Sequence, residues 1–190
     1  MTFTFASNLQ EHQLLFQNLV VLEGAINEAS ELIANAFTSG NKLMLCGNGG
    51  SAADSQHIAA EMTGRFIKDR KPLPAIALTT DTSALTCIAN DYSFEDVFAR
   101  QIGALGRSDD VLIAISTSGN SGNVIKAMHV AKELDIKIIA LTGRDGGQMR
   151  SLADLAIIVP SQTTARIQEA HIFIGHLICG LTESHLGLAA

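Results

Sequence analysis

The sequence holds no tryptophan, one tyrosine and three prolines in 190 residues. With proline this scarce, a Pro-rich linker is excluded and helices and inner strands can run without interruption. Cysteine is equally sparse. Cys46, Cys87 and Cys179 lie far apart with no CxxC pair, and an odd count builds no disulfide framework, so all three read as small core residues in a reducing compartment. No run approaches the roughly 18 apolar residues of a membrane span. The stretch from Met1 to Glu11 has neither the basic nor the apolar region of a secretory signal, and the protein reads as cytoplasmic, with no membrane partner. Positive charge is also in deficit. Thirteen Lys and Arg stand against 19 Asp and Glu, a net charge of −6, which argues against a nucleic-acid surface built on bulk positive charge. An anionic ligand must then be held by local dipoles and a few cations.

What is present in quantity is apolar surface and glycine: 47% of the residues are hydrophobic and 16 are Gly, a balance that suits one compact α/β domain over residues 1–190. Leu15, Leu19, Leu22, Ile26, Ala29, Ile33 and Phe37 recur at gaps of three and four, predicting one long helix over 8–38 that stops at Ser39-Gly40. Such a stripe can pack on its own domain or on another subunit. It is longer than one small sheet needs, which favours a subunit contact in a symmetric oligomer. Beyond it, short apolar runs at Lys42–Cys46, Pro74–Leu78, Val111–Ile115, Lys137–Leu141 and Leu155–Val159 alternate with helical segments. That order predicts βαβ units, hence a three-layer α/β sandwich around a five-stranded parallel sheet, with a core over 42–188 and a final helix from Ala165 to His185. Ligands of such sheets bind at the loops following the strands.

Two of those loops are unusual. The first run ends in Gly47-Asn48-Gly49-Gly50-Ser51, with Ser51 placed to cap a helix beginning near Ala52. It lacks the endings of a P-loop and of a dinucleotide fingerprint. The third run ends in Ser116-Thr117-Ser118-Gly119-Asn120-Ser121, four hydroxyls and a Gly at a helix start. A turn of this kind can be a capped helix and no more, but it can also surround a phosphate with neutral donors. Two such loops in one small domain point to a phosphorylated ligand.

His57 and Glu61 share a helix face at i,i+4, and Gln168 and His176 lie eight apart on the final helix, about 80° from one another around its axis. Gly175 beside them would leave room for a ligand. A carboxylate and an imidazole facing one pocket supply a base and an acid for proton transfer next to a carbonyl. The same side chains are ordinary zinc ligands, with a Gln carbonyl assisting. They are equally an ordinary solvated pair, and His171, three residues from Gln168, competes for the place of His176. His12, His129 and His185 show no partner pattern and read as surface residues.

Taken together, Cys46 to Asp54 with Gln56-His57, Glu61 and Gly64-Arg65, Ser116 to Ser121, Leu141-Thr142-Gly143, and Arg166-Ile167-Gln168-Glu169 with His171 and His176 resemble the signatures of the phosphoheptose isomerase family. The similarity runs from about Lys42 to Leu181. It implies a single sugar isomerase (SIS) domain of flavodoxin-like type, assembled as a homotetramer with sites at subunit boundaries. It implies an aldose–ketose isomerase acting on sedoheptulose 7-phosphate for ADP-heptose and lipopolysaccharide core synthesis. By the same resemblance Glu61 would be the general base and His176 the general acid. Ser116, Thr117, Ser118 and Ser121 would hold the phosphate. Asn48, Gly49, Gly50, Ser51, Asn90, Asp91, Glu61 and Gln168 would line the sugar, and His57, Glu61, Gln168 and His176 would bind one zinc per subunit. The Asp that some members carry before the RIQE-like segment is Ala165 here, with Thr163 or Thr164 as substitutes. A non-catalytic SIS-domain protein that binds the replication initiator shares the fold and much of both loops. It lacks the carboxylate and imidazole at the positions of Glu61 and His176.

Overall fold

Five strands, β1 (Leu43–Gly47), β2 (Ala75–Ala77), β3 (Val111–Ser116), β4 (Lys137–Gly143) and β5 (Leu155–Val159), form one parallel sheet in the order β2-β1-β3-β4-β5. The structure, a computed structural model, describes residues 4–189. Every residue of β1 and β3 is buried, because helices cover both faces; this is why the strands read as continuous apolar runs without alternation. The alternation survives in which face each residue serves. Leu43, Leu45, Val111, Ile113 and Ile115 join one core, and Met44, Cys46, Leu112 and Ala114 the other. The first core is closed by α2 (Glu23–Thr38), α3 (Gly50–Thr63) and α8 (Thr164–His185); the second by α5 (Ala99–Leu105), α6 (Gly122–Glu133) and α7 (Met149–Leu152). Cys46 and Cys179 are buried, and burial pushes both thiols up to about 12, so they are inert. Cys87, on α4 (Thr82–Asp91), is exposed instead, because α4 buries none of its residues.

The predicted N-terminal helix is two helices. α1 (Phe5–Asn18) and α2 are joined by a 3₁₀ turn, Leu19–Leu22. In a 3₁₀ turn residues i and i+3 eclipse, so Leu19 and Leu22 both reach the core while Val20 and Val21 point out, 70% and 73% exposed. The stripe itself, from Leu15 through Ile33, is buried in its own subunit. These side chains therefore cover the home sheet, and a subunit contact of this segment would be made by its outward residues, such as Val20 and Val21.

The position of α3 against α8 follows from a glycine. A Cβ on Gly175 would lie 2.6 Å from Ile58 Cδ1, so the two helices touch at this point. The space expected for a ligand beside Gly175 is filled by Ile58. The loops after β1 and β3 leave adjacent strands for opposite faces, since α3 packs in one core and α6 in the other. That divergence opens a crevice at the carboxyl edge of the sheet.

Candidate functional site

The first loop turns where only glycine fits. A Cβ on Gly47 would sit 2.7 Å from Ser51 Cβ, and Gly49 has φ +56°. Gly49, not Ser51, is the N-cap of α3 and makes no side-chain capping bond; Ser51 lies buried inside the first turn. The predicted cap is thus absent, and the leading NH groups of α3 are held by the turn itself: Ser51 N donates to Asn48 O, and Ala52 N and Ala53 N donate to Gly49 O. Gln168 reaches this turn from α8: a Cβ on Gly50 would stand 1.7 Å from Gln168 Nε2.

The second loop is organised around hydroxyls. Ser116 Oγ lies 2.8 Å from Ser121 Oγ and 3.4 Å from Ser118 Oγ, and Asn120 N donates to Ser118 Oγ at 3.2 Å. Ser121 is the N-cap residue of α6, yet its side chain makes no capping bond and turns toward Ser116. Free NH groups of a helix start therefore adjoin a ring of hydroxyls, an arrangement suited to a phosphate. The loop is braced from behind. Gly119 has φ +66°, and a Cβ there would meet Gly146 O at 2.0 Å; Met149 N and Gln148 N donate to Gly119 O and Asn120 Oδ1.

The two loops are joined by a contact with no sequence signal. Asn48 and Asn123 exchange amide hydrogen bonds, each 2.8 Å, across 75 residues of chain. Asn123 is 3% exposed. Asn123→Leu removes both bonds and leaves the Asn48 amide unheld, so KM for a phosphorylated sugar is expected to rise about tenfold, equivalent to one or two hydrogen bonds. Steady-state kinetics with circular dichroism as a fold control measures this; an unchanged KM would assign the pair to the scaffold alone.

His57 and Glu61 stand on α3, and His176 meets them from α8. His57 Nε2 lies 3.0 Å from His176 Nε2 and 3.4 Å from Glu61 Oε1, and one ligand atom from each of the three lies within 4.8 Å of the others. The ring of Phe66 stacks on His176 at 5.7 Å. His171 turns to the sheet, where it is fully buried and its Nε2 pairs with Thr142 O at 3.0 Å. Burial pulls its pKa down to about 4, so it is neutral at pH 7 and is no part of the cluster. Asp54, one turn before His57, was not singled out from sequence as a site residue. It is buried with Oδ2 unpartnered among the described residues, and burial pushes its carboxyl up to about 6 against the opposing effect of His57.

Not every expected residue is hydrogen-bonded to the two loops. Asn90 and Asp91 are exposed at the end of α4, where Asn90 Nδ2 donates to Asp91 Oδ1 at 2.8 Å, and no hydrogen bond links them to either loop among the described residues. Thr163 Oγ1 donates to Glu11 Oε1, and Thr164 Oγ1 accepts from Arg144, so both proposed substitutes for the missing Asp have other partners. His12 is not a free surface residue: it pairs with Glu169 at 2.8 Å and stacks on Phe16.

The donor set of the cluster fits a metal ion. Two facing imidazole nitrogens must either share a proton or accept a common cation. Ligand atoms about 2.05 Å from a tetrahedral zinc lie about 3.3 Å apart. Two of the three separations, 3.0 and 3.4 Å, bracket that value, and the third lies within 4.8 Å.

Comparison with known proteins shows the family. A family model described as the SIS domain matches residues 9–143. A phosphoheptose isomerase of Helicobacter pylori is 52% identical over 177 residues, 93% of this chain and 92% of that protein. The solved phosphoheptose isomerase of Neisseria gonorrhoeae superposes with a TM-score of 0.90 at 49% identity, covering 94% of this chain and 96% of that one. The Francisella tularensis enzyme gives 0.92 at 37% identity, again covering 94% and 96%. With a switch-point crevice, Gly- and Ser-rich loops after β1 and β3, and a His–Glu–His cluster on α3 and α8, the chain belongs to the SIS-domain family, among its phosphoheptose isomerases.

Proposed function

We propose that the chain is an aldose–ketose isomerase that converts sedoheptulose 7-phosphate to D-glycero-D-manno-heptose 7-phosphate, a supply step for ADP-heptose and lipopolysaccharide core synthesis. The observation that carries this reading is the meeting of Glu61 and His176, from separate helices, in the His57 cluster. The replication-initiator-binding alternative lacks that pair, and the relatives reported above are named as isomerases.

Isomerisation moves one hydrogen from C1 to C2 and shifts the carbonyl from C2 to C1. In our reading Glu61 removes the C1 proton as the C2 oxygen gains negative charge, and then returns that proton to C2. His176 donates to the C2 oxygen and recovers a proton from the C1 hydroxyl, so protons balance across the enediol. Glu61 is half-buried, with its side chain 23% exposed, so the carried proton can exchange with water during turnover. Ser116, Thr117, Ser118, Ser121 and the start of α6 hold the phosphate, while Asn48, Gly49, Gly50, Ser51 and Gln168 hold hydroxyls. Asn90 and Asp91 would join the sugar from the end of α4. Anchoring the distant phosphate supplies binding energy that fixes C1 and C2 beside Glu61. His57, Glu61 and His176, with Gln168, would hold one zinc, which when bound supplies a Lewis acid for the sugar oxygens. We further propose a cytoplasmic homotetramer; no helix among the described residues is long and apolar enough to cross a membrane.

An isomerase assay with sedoheptulose 7-phosphate, run after chelation and again with added zinc, tests the reading directly. Absence of heptose 7-phosphate in both arms would overturn it. Ser118→Ala and Ser121→Ala are expected to weaken substrate affinity by about 1.5–3 kcal/mol each, the worth of a hydrogen bond to a charged group. Unphosphorylated sedoheptulose should not feel either change. Calorimetric titration with both sugars separates the cases, since equal losses would give this loop another task.

A further inference from the structure

We propose that Arg70 is a positioning residue that sets the spacing of α3 and α8, and through it the gap between Glu61 and His176. The inference rests on the isomerase reading above. Residues 64–71 leave α3, cross to α8 and carry two anchors, one with a buried side chain and one half-buried. The first is Arg70, whose side chain is 3% exposed. Its Nη2 donates to Glu61 O at 2.7 Å, and its Nη1 donates to Met62 O at 2.7 Å and Gly64 O at 2.9 Å. These are carbonyls at the C-terminal end of α3, which have no partner within the helix. Its Nε donates to Glu183 Oε1 at 2.8 Å, and the Glu183 side chain is 5% exposed. Glu183 follows His176 by seven residues, close to two turns, and so occupies the same face of α8. The second anchor is Phe66, stacked on the His176 ring and lying over Gly180, where a Cβ would come within 3.2 Å of Phe66 Cε1.

One guanidinium thus grips the backbone of Glu61 itself and the helix that presents His176. The Gly175–Ile58 contact fixes the helices on one side of the cluster and the Arg70–Glu183 pair on the other. A fork of planar donors is needed to hold three carbonyls and a carboxylate together, which a lysine cannot reproduce. Single removal of either charge would strand its partner in the interior and confuse geometry with stability. Replacing both by apolar residues of similar volume is often close to neutral for folding.

The test therefore uses Arg70→Met/Glu183→Leu, with Arg70→Lys as the second variant should the first fold poorly. We expect the folded double variant to melt below the wild type, because Glu61 O and Gly64 O lose their donor, and to keep KM within about threefold, because the phosphate loop on α6 is untouched. Its kcat should fall about 10–100-fold, the scale of a misplacement near 1 Å. Zinc affinity of the metal-free protein, measured by competition with a chelator, should drop about 10–100-fold, as for loss of groups that orient ligands. Arg70→Lys should show the same losses, smaller in size. A folded variant of either kind with wild-type kcat and wild-type zinc affinity overturns the proposal. A wild-type chain without isomerase activity would sink the functional reading instead, while zinc affinity would still judge Arg70.

Discussion

Glu61→Gln is expected to lower kcat by about 10²–10⁴-fold, the range for removal of a positioned general base, while leaving fold and substrate affinity near the wild type. Glutamine has the same shape, so Met62, buried in the core next in the chain, and the backbone carbonyl held by Arg70 are undisturbed. It still offers an oxygen to His57, 3.4 Å from Oε1 in the native chain, but it cannot accept and carry a proton. Two measurements isolate the effect. Calorimetry should give a substrate Kd close to that of the wild type, and deuterium from solvent should no longer enter the substrate at C1 or C2. Because Glu61 also belongs to the candidate metal cluster, the assay is run at saturating zinc with bound metal quantified. A variant with full zinc content and near-normal kcat would show that another group moves the proton, and buried Asp54, about two turns before Glu61 on α3, would be the next to test.

The parts of this protein that were legible in the sequence are those whose physics is local. Parallel strands covered on both faces must be apolar throughout, so β1 and β3 announce themselves within six residues. The Gly- and Ser-rich turns are legible because positive φ and free helix ends demand particular residues. The break between α1 and α2 is not, because gaps of four, three and four residues along Leu15, Leu19, Leu22 and Ile26 suit an α-helix and a 3₁₀ turn alike. His171 and His176 lie five residues apart and about 140° around α8, so sequence says they face differently but not which one faces α3. The Asn48–Asn123 pair and the Gln168–Gly50 contact join distant segments, and no spacing rule connects them. Arg70 sits among Lys68, Asp69 and Lys71, a charge run of the kind that usually stays in water; only the fold selects one member for burial.

The same distinction decides how assembly should be tested. Leu22→Asp with Ile26→Asp, chosen from the stripe alone, is expected to unfold the chain, because these side chains are 9% and 4% exposed within one subunit. Two unpaired carboxylates in that core cost several kcal/mol, against a typical total stability of about 5–15 kcal/mol. Loss of the native circular dichroism signal would accompany any smaller species, so nothing about subunit contacts could be read from it. Val20→Asp with Val21→Asp asks the proper question. Both valines project from the 3₁₀ turn, and surface changes of this kind usually shift the stability of a lone subunit by no more than about 0.5 kcal/mol each. Beside them a groove of about 430 Å³ runs between α2 and α8, lined by Phe16, Leu19, Ile26, Phe173, Leu177 and Leu181. In the proposed tetramer this apolar face is covered by another copy, so the charges would enter an interface without partners. Light scattering should then give a tetramer for the unmodified protein and smaller, folded species for the double variant, with activity falling as well if sites straddle the boundary. A folded double variant that stays tetrameric would move the interface to another face, and an unmodified protein that is monomeric at micromolar concentration would remove it altogether.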